Sequence, residues 1–455
     1  MREANLNLRR LPMTALLVIA LVACGQTTPG RGNDGGGSGT IDYAPEPAPA
    51  SNVIAYVAAG GDEIRLIDPD GSNDRRLWAH GLADPESVYD VWSMEWNTSA
   101  TRLAFASTHE NWCSLFASDI FYVGSDGSGY SRVTQAPACE QLDNFPQGTV
   151  QVPVKNWGLD SFSGFMYFQG AASIEAVNLP ANGSGMVTFD NVADVGDGED
   201  WQQVGTVIVG PNREISFSTI VDVAENSTVT TSEASVYTPS TFWEARSPTW
   251  SRTGNEVGFI YNFNSFTSLP VEPGPLEFGT ALLAEDAILP GYTDHLSWGP
   301  TPETADSMLY FGSDSFDGVA AIYLVEKGST SAGDPILTLN DSFEQVLDLA
   351  WLPDGSGFVF SLTDGVYDDA TGHSDLYRYR FGDANAVALT DLSTSAEFAG
   401  RFSLSPDGQQ IAFELATDIS DSGFDLVDPD IWILDVDSGT AELLVEDARA
   451  PAWSW

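Results

Sequence analysis

Four histidines, three cysteines and a set of recurring aspartates are the side chains of this chain with the most chemical potential. His80, His109, His295 and His373 are scattered along 455 residues, so they and the cysteines cannot supply a Cys/His zinc cluster. Asp119, Asp375 and Asp430 each stand immediately before an apolar strand pattern, as in Asp430-Ile-Trp-Ile-Leu. A carboxylate recurring at that place either joins a ring that binds a cation or accepts backbone N–H bonds and fixes a hairpin. The second is the stronger expectation. Asp418, Asp421, Asp425 and Asp428 crowd one loop without EF-hand spacing, so Ca²⁺ binding there ranks below a solvated acidic loop. His109, Asp119, His373, Asp375 and Asp430 remain the candidate binding residues. No Gly-x-Ser-x-Gly elbow is present and no catalytic residue emerges, so the expectation is a protein that is not an enzyme and carries no cofactor.

The cysteines have separate meanings. Arg2, Arg9 and Arg10 precede a short apolar stretch, Leu11 to Val22, that ends in Leu21-Val22-Ala23-Cys24. Such a stretch is too short to span a bilayer and has the form of a signal peptide. Its end resembles the bacterial lipobox, which implies cleavage of residues 1–23 and acylation of Cys24. Cys113 and Cys139 are the two left after lipidation, and in an exported chain that number suggests a disulfide, with two unpaired thiols as the alternative. A net charge of -47 makes nucleic acid and anionic lipid surfaces poor partners. Residues 24–51, rich in Gly and then Pro, form a flexible linker.

The elements that must position these residues are strands. Apolar and polar residues alternate with period two between Gly, Pro and Asp turns, and the pattern repeats. Anchor residues fall at Trp96, Trp250, Trp298, Trp351, Leu404 and Trp453, at intervals of 154, 48, 53, 53 and 49 residues. Four of these intervals suit one blade of a β-propeller. The segment Ala450 to Trp455 reads as a first strand without its blade, and Val53–Val57 opens a blade without its first strand. The expectation is an all-β fold: a six-bladed β-propeller, residues 52–134 and 241–455, closed by pairing of the C-terminal strand with the first blade. Matching positions for the tryptophans say core.

Ser405-Pro406-Asp407-Gly408, Asp354-Gly355, Asp68-Pro69-Asp70-Gly71 and Asp126-Gly127 resemble the repeats of the TolB-like propeller family. That resemblance implies a periplasm-facing propeller scaffold. The long interval holds strand patterns outside the repeat, and residues 144–226 read as an inserted small β-sandwich similar to transthyretin-like or carboxypeptidase-regulatory-like modules. The insertion follows a fourth strand, so it joins the end of the blades that carries the long second-to-third connections; loops on a rigid scaffold carry binding. The expected protein is a monomeric cell-envelope lipoprotein, at the outer membrane where there are two, touching membrane through its lipid alone. It would bind an envelope protein or peptide at that rim; binding or processing of extracellular polysaccharide in the pore is the alternative.

Overall fold

In the computed structural model every regular element among the described residues is a strand, bounded by Asp-Gly, Pro and Asn turns. The structure describes residues 47–80, 91–109, 118–134, 145–159, 161–168, 170–171, 173–194, 203–209, 214–235, 245–261, 265–271, 280–282, 292–314, 319–339, 345–363, 372–393, 395–419 and 426–455. Residues Ala44–Trp455 form one compact unit. No helix of the described residues is long and apolar enough to cross a membrane.

Outside the long interval the strands assemble in antiparallel groups of four. Sheet one takes the chain's last strand, Ala448–Trp453, beside Ile54–Ala58, Glu63–Ile67 and Arg75–Ala79. Trp453 lies opposite Ile54 in that ladder, which is the pairing that the incomplete repeats at the two ends predict. Sheet two is Val91–Trp96, Arg102–Ser107, Asp119–Gly124 and Ser131–Arg132; sheet three begins with Ala245–Trp250 and sheet four with Tyr292–Trp298. Sheets five and six begin with Gln345–Trp351 and Phe398–Leu404 and are joined by a single parallel bridge from Ser374 to Phe398. Otherwise the ladders stay separate, and the sheets meet face to face.

First strands neighbour one another in sequence order: sheet one touches two, two touches three, and so on until six touches one. The tryptophans at their ends are buried, between 1% exposed at Trp96 and 5% at Trp351. Burial of such rings supplies the largest apolar contribution of any side chain. Their indoles do more than fill space. Trp96 Nε1 donates to the Ala452 carbonyl of sheet one at 3.1 Å, Trp250 Nε1 to that of Glu95 in sheet two at 2.9 Å, and Trp351 Nε1 to that of Ser297 in sheet four at 3.0 Å.

Between sheets two and three, two further sheets pack on one apolar core. In one, Phe162–Phe168 lies between Ile174–Leu179 and Gln203–Val209; in the other, Gln147–Lys155 lies between Ser184–Ala193 and the parallel strand Thr228–Thr230. Inward residues alternate along Gln147–Lys155, placing Val150, Val152 and Val154 against Met166, Phe168, Val177 and Leu179. Strands continue to Ser235, past the expected end of the insertion at residue 226, because the parallel pairs complete the second sheet.

Candidate functional site

Antiparallel order puts the start of each first strand at the same end of its sheet as the end of the second strand and the start of the third. His109, Asp119, His373, Asp375 and Asp430 all lie at that end, and their side chains are taken up there. His109 is buried, with Nδ1 2.8 Å from Ser107 Oγ and Nε2 2.8 Å from the Tyr130 hydroxyl, and it stacks on His80. Burial, with the nearby charges of His80 and Arg132, holds its pKa well below the ordinary imidazole value, so the ring is neutral.

The three aspartates brace the fourth strands. Thr134 Oγ1 donates to Asp119, whose other oxygen lies 3.6 Å from Arg132. Asp375 accepts from the Thr390 hydroxyl at 2.7 Å and from Leu392 N–H at 2.9 Å, and His373 Nε2 lies 3.4 Å from it. Asp430 accepts from Asp447 N–H at 2.9 Å. Each aspartate thus ties the start of a third strand to backbone or hydroxyl groups 15 to 17 residues on. Among the described residues no three His, Cys, Asp or Glu side chains are placed to hold a metal ion. Cys24, Cys113, Cys139, Asp421 and Asp425 lie outside the described residues.

A different set of residues is assembled at the centre. All six first strands carry a β-bulge within the five residues before the anchor: in the ladders of Val91/Ser93, Arg246/Thr249, Asp294/Ser297, Val346/Asp348, Ala399/Phe402 and, in sheet one, opposite Ala55/Val57. The extra residue re-aims the side chains beside it. Three residues before each anchor stand Ser93, Ser247, His295, Asp348, Arg401 and Ala450. Ser247, His295 and Ala450 adopt the left-handed backbone, with φ of 50°, 57° and 49°. Only glycine enters that region without strain, although histidine tolerates it better than most.

Ion pairs and charge-assisted bonds link these bulges from sheet to sheet. Arg246 Nε and Ser247 Oγ each donate to Asp294 Oδ1 at 3.1 Å, and Arg246 also donates to the Thr293 carbonyl at 2.8 Å. His295 sits between two carboxylates, 4.0 Å from Asp294 and 3.7 Å from Asp348. Asp348 Oδ2 accepts from Phe402 N–H of sheet six at 2.8 Å. Glu414 accepts from Ala450 N–H of sheet one at 2.7 Å and from Arg401 N–H at 3.0 Å, with the Arg401 guanidinium 3.9 Å away. Glu95 accepts from Trp250 N–H of sheet three at 3.2 Å. Burial pushes the Glu95 carboxyl up to about 8 against those bonds, and the charge of Asp348 adds to the rise, so near neutrality most of it is protonated. A carboxyl that keeps its proton near neutrality, among strands that also carry carboxylate and imidazole side chains, gives the centre groups that can donate and accept hydrogen bonds.

Reasoning from spacing missed these residues because it followed loop length. One signal was present: Arg-x-Pro-x-Trp occurs at Arg246–Trp250 and again at Arg449–Trp453, and proline within a strand marks an edge or a bulge.

No known family model matches the chain, and no curated protein matches it. Among solved structures it is similar to one from Agrobacterium tumefaciens assigned as TolB, at 17% identity over 46% of this chain and 82% of that one, with a TM-score of 0.29. It is also similar to the β-propeller domain of the Trilobed protease from Pyrococcus furiosus, at 9% identity over 84% and 87% of the two chains and a TM-score of 0.35. A third is the acylaminoacyl peptidase of Pyrococcus horikoshii, at 12% identity over 88% of this chain and 52% of that one, with a TM-score of 0.36. At these scores no residue role passes to this chain. The expectation that the protein is not an enzyme is nevertheless overturned: an enzyme stands among the similar structures, and absent sequence signatures do not exclude a site assembled from six separate strands.

Proposed function

We propose that this chain is a cell-envelope lipoprotein whose six sheets are the blades of a TolB-like propeller, with the two extra sheets as an inserted β-sandwich, and that it binds a protein or peptide in the central channel. The propeller reading is supported by the succession of first strands in which sheet six returns to sheet one. One observation carries the binding site: a bulge recurs in all six first strands, yet the residues three before the anchor, in or beside it, differ in every sheet but two, Ser93, Ser247, His295, Asp348, Arg401 and Ala450. A position needed only for architecture would repeat its residue as the tryptophans do. The rim loops become the approach to this site.

Acylation of Cys24 and a Cys113–Cys139 disulfide belong to the same proposal and are read by mass spectrometry of the mature chain with and without reduction. The binding site is tested by probing a peptide array and a glycan array with the full chain and with Arg401→Ala and His295→Ala. The expected result is peptide binding that either variant weakens by about tenfold, equivalent to about 1.4 kcal/mol. Peptide binding that both variants leave untouched places the site elsewhere. The Glu95 carboxyl, held protonated near neutrality, favours a second reading, acid–base turnover of an extracellular glycan in the channel. A hydrolysis assay on any glycan that binds decides it.

A further inference from the structure

An open cleft of about 310 Å³ lies between sheets five and six, at the end of the strands opposite the bulges. Its walls are the first-to-second turns of both sheets, the third strand of sheet five and the third-to-fourth turn of sheet six. The two first-to-second turns touch, since a Cβ on Gly408 would stand 3.4 Å from Pro353 Cδ. Arg378, on the third strand, lies opposite Val359 and two residues from Leu376. It therefore shares the face on which both join Phe402 and Ile411 of sheet six in one apolar cluster.

Ladder register identifies the same place in every sheet: two ladder steps from the residue just before the anchor, on the third strand. It is Leu66 in sheet one, Tyr122 in two, Ser268 in three, Leu324 in four, Arg378 in five and Ile433 in six. Leu66, Tyr122, Leu324 and Ile433 pack in apolar clusters with the following sheet, and Ser268 is buried. Sheet five alone places a charge there. The Arg378 guanidinium is half-buried and has no hydrogen bond or ion pair among the described residues, in a chain with 65 acidic side chains against 18 basic ones. Its neighbour Arg380 is engaged, donating to the Ser356 hydroxyl at 2.7 Å with Asp354 3.7 Å away. Asp354 and Asp407 accept bonds within their own turns. The side chains of Gln409 and Asp437, also on the cleft, make no hydrogen bond among the described residues.

An open guanidinium presents a planar fork of donors that matches a carboxylate or a phosphate. Two features of the cleft choose the carboxylate. Three aspartates line it against two arginines, so a second negative charge on the ligand meets added repulsion. Leu352, Pro353, Pro406 and Val436 give it an apolar wall, which a hydrocarbon side chain covers and a phosphate leaves bare. The volume stands at the small end of ligand clefts and suits a single residue. We propose that this cleft binds the carboxylate of an apolar amino acid, free or at the end of a peptide. Arg378 holds the carboxylate, the prolines and Val436 take the side chain, and Gln409 and Asp437 accept the N–H groups. The site lies at the other end of the sheets from the bulges and does not rest on the channel reading.

Titration calorimetry on the full chain at neutral pH tests this with free leucine, N-acetyl-leucine and N-acetyl-diglycyl-leucine, with N-acetyl-leucine amide and inorganic phosphate as controls. At least one carboxylate binds and the amide does not. Free leucine as the tightest identifies the amino acid as the source, and the acetylated tripeptide as the tightest identifies a chain end. Arg378→Leu, the residue that sheets one and four carry at this place, weakens binding by about tenfold or more and leaves the thermal midpoint unchanged or higher. Arg378→Gln, closer to arginine in shape, weakens binding likewise. Arg401→Ala and His295→Ala leave it intact, so failure of the channel reading and failure of this one are separate results. The proposal is overturned if no carboxylate binds at about 10 mM, where even a weak site fills. It is equally overturned if both Arg378 variants keep the affinity, or if phosphate binds as tightly as the best carboxylate.

Discussion

The two halves of each first strand obey opposite rules. At the anchor end the sequence repeats itself: Trp96, Trp250, Trp298, Trp351 and Trp453 are buried, and the turns after Trp351 and Leu404 both use Pro-Asp-Gly. Asp354 and Asp407 accept bonds from the residues two positions on, at 2.9 and 3.0 Å, and Gly408 takes a φ of 68° that closes the turn. At the bulge end the backbone repeats and the residues do not. Repetition of both marks architecture; repetition of the backbone alone marks a scaffold on which each sheet offers a different group. The channel site proposed above lives on that contrast.

The largest effect should come from the anchor end. Trp351 packs with Leu349, Phe358 and Phe360 and bonds sheet four, so Trp351→Ala should lower unfolding free energy by about 3–5 kcal/mol. Asp348→Asn at the bulge end should move it far less. Urea titration of the two variants measures this, and equal losses would erase the distinction between the ends.

Next in size is a pH dependence of opposite sign at the two ends. Glu95 is raised from 4.5 to about 8, so the folded chain holds a proton that the unfolded chain has released over that window. Stability from this group is complete below about 4.5 and declines as pH rises to 8, by an amount of the order of a few kcal/mol. At the turns, bonds from Gln409 N–H and the Ser405 hydroxyl lower Asp407, and bonds from Ser356 lower Asp354. Their contribution is present above the ordinary carboxyl range and fades as pH falls through it. Thermal midpoints of the wild type and Glu95→Gln between pH 4.5 and 8 should diverge steadily; parallel curves would mean that Glu95 is ionised throughout.

The smallest contrast is in backbone strain. His295→Gly relieves a φ of 57° and should leave stability unchanged or raise it by up to about 1 kcal/mol, while ligand binding drops. Gly408→Ala, at a φ of 68°, should lower stability by about 1 kcal/mol. If His295→Gly proves the more damaging of the two, the bulge serves the fold before any ligand.

Much of the architecture could be read before any coordinates. Alternation along Gln147–Lys155, the recurring tryptophans and the unmatched strands at the two ends carry their own physics, since a period of two and a turn residue act over a few positions. The recurring aspartates were legible as well: Asp119, Asp375 and Asp430 are hairpin braces, the stronger of the two roles their position allowed. His109 was not, because a histidine beside a long loop looks available until Tyr130, 21 residues on, closes over it.

What the amino-acid order settled by itself is local: which segments extend, where they turn, and which rings are buried. It could not say that Glu95, Asp294, His295, Asp348 and Arg401, on four different first strands, face a common centre. That depends on one extra residue per strand rotating its neighbours, and on sheets hundreds of positions apart in the chain standing side by side. A bulge is a mismatch between two strands, so neither strand's sequence contains it, and a carboxyl moves towards 8 only when another strand brings a second charge and removes its water.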